Sequence, residues 1–308
     1  MDGLVAVDGA RIHFQVAGDG PVLVIGQSGE GDADRSVDLV ERLVGRFTVV
    51  TWDRRGLSRS VPDAGGTGGT GGTGGTGGTG AGVRWHPGAG ASVRRHAADA
   101  AAVIRHVAAG PVTVLGLSMG AAIGLHLLVD HPGTVGTLVA HEPIALGFLA
   151  PEVEKRARGE LEGVLDVHRE SGWRAAAGKV AAVLGIDPRA QETEEGITAF
   201  PFTERRAANF EYFLRYDLAA VLEDRLSLMD VPAGARVGRA GARVGPAGAR
   251  IVPAVGESSP VTGFDYLAAL ALADRAGVEA VRFPGGHNGN LTHPRAFADR
   301  LVAVLESN

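Results

Sequence analysis

Residues 112–129 impose a fixed order of local structures on this chain. The apolar, β-branched run VTVLGL leads into G-L-S-M-G at residues 116–120, and an Ala-, Leu- and Ile-rich helical pattern follows. Strand, tight turn and helix in this order is the setting in which G-x-S-x-G indicates a nucleophilic serine. A turn this sharp requires a positive φ at Ser118, and the flanking glycines remove side chains that would collide with neighbouring backbone. The sequence therefore predicts an exposed Ser118 hydroxyl at the tip of the turn, although such a serine can also act only as a helix N-cap.

Two backbone groups are candidates for binding an oxyanion beside Ser118. The Met119 N–H lies in the first turn of the predicted helix, where unpaired donors and the helix dipole favour negative charge. The second is the N–H of Gln27 or Ser28, in the glycine-rich loop that follows the apolar strand Val22–Ile25. The alternative for this segment is an ordinary loop between a strand and a helix.

His287 is the histidine that fits a general base. It follows the apolar run Ala280–Phe283 and stands among glycines, which let an imidazole approach a neighbouring element. It also has the place that a histidine takes in the chain order serine, acid, histidine. A neutral imidazole can take the Ser118 proton and later return it. His293, which precedes Pro294, is expected at the surface or at the entry to the last helix.

Composition narrows the cofactors and partners. The chain has 308 residues, no cysteine and a net charge of −5. Without cysteine the chain has no thiolate nucleophile. Its net negative charge creates no basic field, so neither nucleic acid nor an anionic membrane is expected as a partner. The sequence shows no metal-ligand spacing, and we expect no metal and no organic cofactor. The expectation is a cytoplasmic protein that acts on a small molecule, with homo-oligomers possible.

The order of patterns predicts an α/β core interrupted by a helical insertion. Apolar strand-like runs alternate with helical patterns over residues 1–147 and again over 229–308, whereas residues 148–228 carry charged helical segments. We interpret 148–228 as a helical cap whose aromatic side chains partly line an apolar cavity. The Gly-Gly-Thr repeat predicts a surface loop over 64–82. The Ala-Gly-Ala-Arg heptads predict a second loop over 233–249, formed by duplication of a strand entrance.

Three motifs resemble one family. W-D-R-R-G-L-S-R-S follows the fourth strand, G-L-S-M-G forms the sharp turn, and P-G-G-H-N follows the last strand. The chain resembles the α/β-hydrolase fold superfamily, nearest to its esterases, haloalkane dehalogenases and cofactor-free haloperoxidases with a helical cap. The resemblance implies an α/β fold with a mostly parallel eight-stranded sheet, helices on both faces and an inserted helical cap. A serine in the turn disfavours dehalogenase chemistry, for which that family uses aspartate.

The triad acid is where the chain departs from the family's pattern. The resemblance places an aspartate a few residues after the strand Ile251–Val255, but the chain reads G-E-S-S-P over residues 256–260. Glu257 is one candidate, and Glu142, directly after the strand that precedes the cap, is the other. Either could fix the tautomer of His287 and stabilise its imidazolium form. A chain with no acid at all is the third possibility.

The resulting hypothesis is a serine hydrolase of esters, thioesters or lactones of small, largely apolar substrates. Ser118 attacks the carbonyl and water then clears the acyl-enzyme. One alternative keeps the fold but not the hydrolysis, as a lyase, a cofactor-free oxygenase or a perhydrolase. The other is a ligand-binding protein with a decayed triad.

Overall fold

The computed structural model describes residues 1–63, 91–187, 189–199, 201–231 and 248–307. The predicted loop over 64–82 lies outside these residues. So does nearly all of the predicted loop over 233–249, including the first two heptads, on whose placement the strand-duplication hypothesis rests.

A mixed, mostly parallel sheet of nine strands organises the described residues, one strand more than the eight expected, because the short β5 joins it at β2. Its strands run in the spatial order β1-β2-β4-β3-β6-β7-β8-β9, and the two-residue β5 pairs with β2. The two pairings β1–β2 and β2–β4 are antiparallel, and every pairing from β4 to β9 along this order is parallel. The strands are β1 (Asp2–Val7), β2 (Ala10–Ala17), β3 (Val22–Gly26), β4 (Thr48–Trp52), β5 (Val61–Pro62), β6 (Val112–Leu117), β7 (Val135–His141), β8 (Arg250–Gly256) and β9 (Val281–Phe283).

Helices cover both faces of this sheet, as the sequence predicts. On one face, α1 and α9 pack side by side and bury Leu39, Leu43, Phe297 and Leu301 against the strands. On the other face, α2, α3 and α7 contribute to a larger core that continues into the helical insertion. The helices are α1 (Val37–Leu43), α2 (Val93–Val107), α3 (Met119–Asp130), α4 (Pro151–Val183), α5 (Glu204–Tyr212), α6 (Leu218–Glu223), α7 (Phe264–Ala276), α8 (Gly289–Thr292) and α9 (Pro294–Glu306).

The helical insertion lies between β7 and β8 and contains α4, α5 and α6. The long α4 is interrupted at Gly172, whose φ of 77° is not helical, so α4 consists of two helical parts. A π-helical turn, Phe213–Asp217, joins α5 to α6. α6 ends at Glu223, and residues 224–231 after it are not helical. No helix in the described ranges is both long enough and apolar enough to cross a membrane.

Two polar side chains fix the local structure where α2 begins and where β4 ends. Ser92 caps α2 by accepting a hydrogen bond from the Arg95 N–H at 3.0 Å. After β4, the buried Asp53 carboxylate accepts hydrogen bonds from the backbone N–H groups of Ala33 and Arg59, at 2.7 and 3.0 Å. The charged motif after β4 therefore forms a tight structural turn, as its composition indicates.

The parallel part of the sheet determines where a functional site can form. β3, β6, β7, β8 and β9 are successive neighbours and parallel, so their carboxyl ends lie along one edge. Segments that follow these five strands therefore meet at the same place, where open α/β sheets bind ligands. The candidate residues Gln27, Ser118, Glu142, Glu257 and His287 all follow one of these strands.

Candidate active site

Ser118 occupies a strained turn between β6 and α3. Its φ is 56° and its ψ is −112°, a conformation that residues with a side chain rarely adopt. Its N–H donates to the His141 carbonyl at 2.9 Å, which ties the turn to the end of β7. A Cβ at Gly120 would overlap the Gly26 carbonyl, and one at Gly116 would overlap the backbone of Ala121. The small residues are needed because the β3 loop and α3 approach this turn so closely.

His287 lies in the loop after β9 and is 5% exposed. Its Nδ1 is 3.0 Å from Oε2 of Glu142 and 2.6 Å from Oδ2 of Asp265, so two carboxylates share one ring nitrogen. Nε2, on the other side of the ring, is buried and has no hydrogen-bond partner among the described residues. His287 and Ser118 line the same cavity. The ring is thus held from one side, and its second nitrogen is left for a group in the cavity.

Glu142 is fully buried directly after β7, with a φ of 46°. Its Oε1 accepts a hydrogen bond from the Gly256 N–H at 2.8 Å, and this contact holds Oε2 toward His287. Burial acts to raise the pKa of Glu142, but the hydrogen bond to His287 and the nearby imidazoles lower it below its usual range. The carboxylate is therefore ionised at neutral pH.

Asp265 is the site residue that the sequence analysis missed. It is the second residue of α7 and is 3% exposed. The family's pattern places the acid within a few residues after β8, whereas Asp265 lies nine positions beyond Gly256. The sequence feature that could have identified Asp265 is its place as an acidic residue in the first turn of a helix whose other positions are mostly apolar. Glu257, which the sequence offered as an alternative acid, is exposed, and its N–H bonds to the Phe283 carbonyl.

Two carboxylates against one imidazole change the proton affinity of His287. Burial alone would lower the pKa of this ring. The hydrogen bonds to Asp265 and Glu142, together with the two negative charges, outweigh that effect and raise the pKa of His287 to about 10. In the unliganded protein at neutral pH, the imidazolium form is therefore strongly favoured.

Glu142, Asp265 and His287 also form a group compact enough for a metal ion, with one possible ligand atom from each within 4.8 Å of the others. Both carboxylates are already at hydrogen-bond distance from Nδ1. A cation would have to replace the proton between them, so the geometry fits a proton-sharing cluster better than a metal centre.

The candidate oxyanion donors follow β3 and β6, two strands that pair in parallel and end side by side. Met119 is the first residue of α3 and is fully buried, so its N–H is among those without an acceptor inside the helix. Ser28 lines the cavity. Gln27 is buried, and its side-chain oxygen accepts a hydrogen bond from the Ser36 hydroxyl at 2.9 Å. The other histidine considered, His293, is the N-cap residue of α9 and bonds to Thr292 at 2.9 Å.

The cavity over Ser118 has a volume of about 810 Å³ and a largely apolar wall. The helical insertion supplies much of that wall, including Phe202, Phe210 and Phe213. Tyr212 and Tyr216 instead pack on each other, with ring centroids 4.8 Å apart. Some of the insertion's aromatic residues thus line the cavity while others form packing contacts.

Comparison with known proteins identifies the family of this chain. A model of the alpha/beta hydrolase family matches residues 10–300. This chain belongs to the α/β hydrolase family. It is 31% identical over 305 residues to the uncharacterized hydrolase YraK of Bacillus subtilis (strain 168), a match that covers 99% of this chain and 96% of that protein.

Solved structures share the fold at lower sequence identity. The esterase EaEST from Exiguobacterium antarcticum superposes with a TM-score of 0.68 at 19% identity, over all of both chains. The enol-lactonase from Burkholderia xenovorans LB400 gives a TM-score of 0.62 at 17% identity, covering 98% of this chain and 99% of that one. The predicted fold, a mostly parallel α/β-hydrolase sheet with a helical insertion, is confirmed.

Proposed function

We propose that this α/β hydrolase is a serine esterase, which cleaves an ester, thioester or lactone of a small, largely apolar substrate. The observation that carries the proposal is the arrangement of His287. Its Nδ1 is fixed by carboxylates, its Nε2 has no hydrogen-bond partner among the described residues, and His287 and Ser118 line the same cavity.

The reaction follows from these positions. Neutral His287 takes the Ser118 proton at Nε2 as Oγ forms a bond to the substrate's carbonyl carbon. The N–H groups of Met119 and Ser28 bind the oxyanion, and each such donor lowers the barrier by about 3 kcal/mol. Imidazolium then protonates the leaving oxygen or sulfur, and the acyl-enzyme forms. Water, deprotonated by His287, releases the acid and restores Ser118.

Glu142 and Asp265 together take the role of the triad acid. They hold the Nδ1 proton of His287 and stabilise the positive charge that the ring acquires when Ser118 is deprotonated. Glu142 follows β7 and Asp265 follows β8, so neighbouring strands deliver them to the same ring nitrogen. This arrangement argues against a decayed triad, because a buried carboxylate contact to the imidazole is retained.

The choice of esters and lactones agrees with the apolar cavity. Such substrates are neutral at the reacting carbonyl, and an apolar wall binds them without desolvating a charge. The names of the two fold relatives, an esterase and an enol-lactonase, point to the same bond types.

The test is the variant Ser118→Ala, assayed with short p-nitrophenyl esters and labelled with a fluorophosphonate. We expect turnover to fall by about 10³-fold or more and covalent labelling to disappear. Ser307→Ala, an exposed serine near the end of α9, is the matched control and should retain both. Unchanged turnover in Ser118→Ala would remove the assigned nucleophile. An enzyme that is active on another substrate but never labelled would favour non-covalent chemistry, and a protein with neither property would favour ligand binding.

A further inference from the structure

A buried arginine outside the proposed triad contacts the loop that holds the oxyanion donor. Arg54 lies in the turn after β4 and is 1% exposed. Its Nη1 donates to the carbonyls of Gln27 and Ser28, each at 3.3 Å, and its Nη2 donates to the carbonyl of Gly29. One guanidinium therefore binds three consecutive carbonyls of the β3 loop.

These contacts determine which way the loop's N–H groups face. In a planar trans peptide, the carbonyl of one residue and the N–H of the next point in opposite directions. Because the Gln27 and Ser28 carbonyls face Arg54, the N–H groups of Ser28 and Gly29 point away from it. Both of those residues line the cavity. Arg54 thus orients the Ser28 N–H that the proposed mechanism uses.

Arg54 is also held by the helical insertion. Its Nη2 lies 3.1 Å from Oδ2 of Asp217, and Oδ1 of that carboxylate lies 3.0 Å from Nε2 of His96 on α2. Asp217 is fully buried. Burial acts to raise the pKa of Asp217, but His96 and Arg54 lower it below its usual value, which keeps the group ionised.

The same turn of the insertion touches the cavity and the β3 loop. Asp217 is the last residue of the π-helical turn, and Phe213 is the first. The Phe213 ring lies against Gly29 and lines the cavity. A π-helical turn inserts a residue into a helix and is frequent at functional sites. Here it brings an aromatic ring to the cavity and a carboxylate to Arg54 within five residues.

We propose that Arg54, anchored by Asp217, is a positioning residue that orients the N–H groups of the β3 loop toward the substrate's oxyanion. Through this pair, the helical insertion and the oxyanion hole are ordered together. The inference rests on the proposed function, since it presumes that a substrate oxyanion forms. A buried ion pair seldom adds net stability over apolar packing, because both charges must be desolvated. A role in orienting the loop gives this pair a function that apolar side chains would not fulfil.

The chain contains a matched control for this pair. The next residue, Arg55, is also 1% exposed and bonds to Asp99 on α2, which is 2% exposed. It donates to the Asp8 carbonyl, at the turn between β1 and β2, instead of to the β3 loop. Asp217→Asn and Asp99→Asn therefore remove one charge from equally buried pairs, of which only the first is connected to the site.

The experiment compares kcat and KM of both variants for one p-nitrophenyl ester, normalised to sites titrated with a fluorophosphonate. We expect Asp217→Asn to lower kcat by about tenfold to a hundredfold, with KM changed by less than about twofold, because the lost interaction acts on the transition state. Affinity for a trifluoromethyl ketone, which forms an oxyanion on the enzyme, should fall in parallel. Asp99→Asn should lose thermal stability but keep its kcat.

Equal kcat values in the two variants would overturn the inference. If Asp217→Asn does not fold, Arg54→Lys gives the same test, since a lysine keeps the charge near Asp217 but does not bind three carbonyls at once. An unchanged kcat in that variant would likewise refute the role of Arg54. A wild-type protein that neither turns over esters nor takes the label would instead refute the proposed function.

Discussion

Removing the carboxylate of Asp265 tests how the two acids act on His287. Asp265→Asn keeps the size of the side chain but deletes the negative charge that lies 2.6 Å from Nδ1. Glu142 remains, with Oε2 at 3.0 Å and Oε1 fixed by the Gly256 N–H. The variant therefore retains one acid and isolates the effect of the second.

The magnitude follows from the pKa of His287. An increase from 6.5 to about 10 means that the site favours imidazolium by roughly 5 kcal/mol. At pH 7, only about one molecule in a thousand then carries the neutral base. An opposite charge at this distance shifts a pKa by about 1 to 3. We therefore expect Asp265→Asn to lower the pKa of His287 by that amount and to raise the neutral fraction at pH 7 at least about tenfold.

The assay is kcat/KM as a function of pH, with a methyl ester whose products are separated chromatographically so that detection does not depend on pH. The acidic limb of the profile reports the essential base of the free enzyme. It should lie near pH 10 in the wild type and move to lower pH in Asp265→Asn. Asp274→Asn, an exposed position on the same helix, is the control and should leave the limb in place. A limb that stays in place in Asp265→Asn would refute the assignment of a second acid.

Three further outcomes follow from the same contacts. Ser118→Gly should be more stable than Ser118→Ala by about 1 to 3 kcal/mol in free energy of unfolding and should melt at a higher temperature, because only glycine relieves the strain of the positive φ. Equal melting temperatures would contradict strain at this turn. Gly120→Ala should lose folded protein or activity, since its Cβ would overlap the Gly26 carbonyl; a fully active, equally stable variant would contradict that close approach. The imidazolium of His287 contributes stability that is complete below pH 6.5 and is lost as the pH rises through about 10. The free energy of unfolding, measured by urea denaturation, should therefore decrease across that pH range. The decrease should be smaller in Asp265→Asn.

The parts of this site that the sequence predicts depend on local patterns. Ser118 is recognisable because strand, glycine-flanked turn and helix are contiguous, and the structure gives it the positive φ that the pattern requires. His287 is recognisable because it follows the last strand among glycines. Since parallel strands end at one edge, the position of each residue after its strand is enough to place the two at the same cavity.

The parts that the sequence does not predict depend on tertiary contacts. Asp265 reaches His287 from the start of a helix, and its distance along the chain from β8 does not show that α7 turns this carboxylate inward. Arg54 belongs to the charged motif after β4, and its sequence setting indicates only a turn. Its contact with Asp217 joins residues 163 positions apart, and no periodic pattern records this contact or those with the β3 loop.

The convergence of Glu142 and Asp265 on one nitrogen also has an evolutionary consequence. Loss of either acid by a single substitution leaves a carboxylate beside the imidazole, and on the proposed mechanism such an ancestor would remain active. Adjacent strands that end side by side thereby allow the acid to migrate between them while the serine and the histidine stay fixed. A family that shares this sheet can accordingly differ in where its acid is encoded without differing in the chemistry it performs.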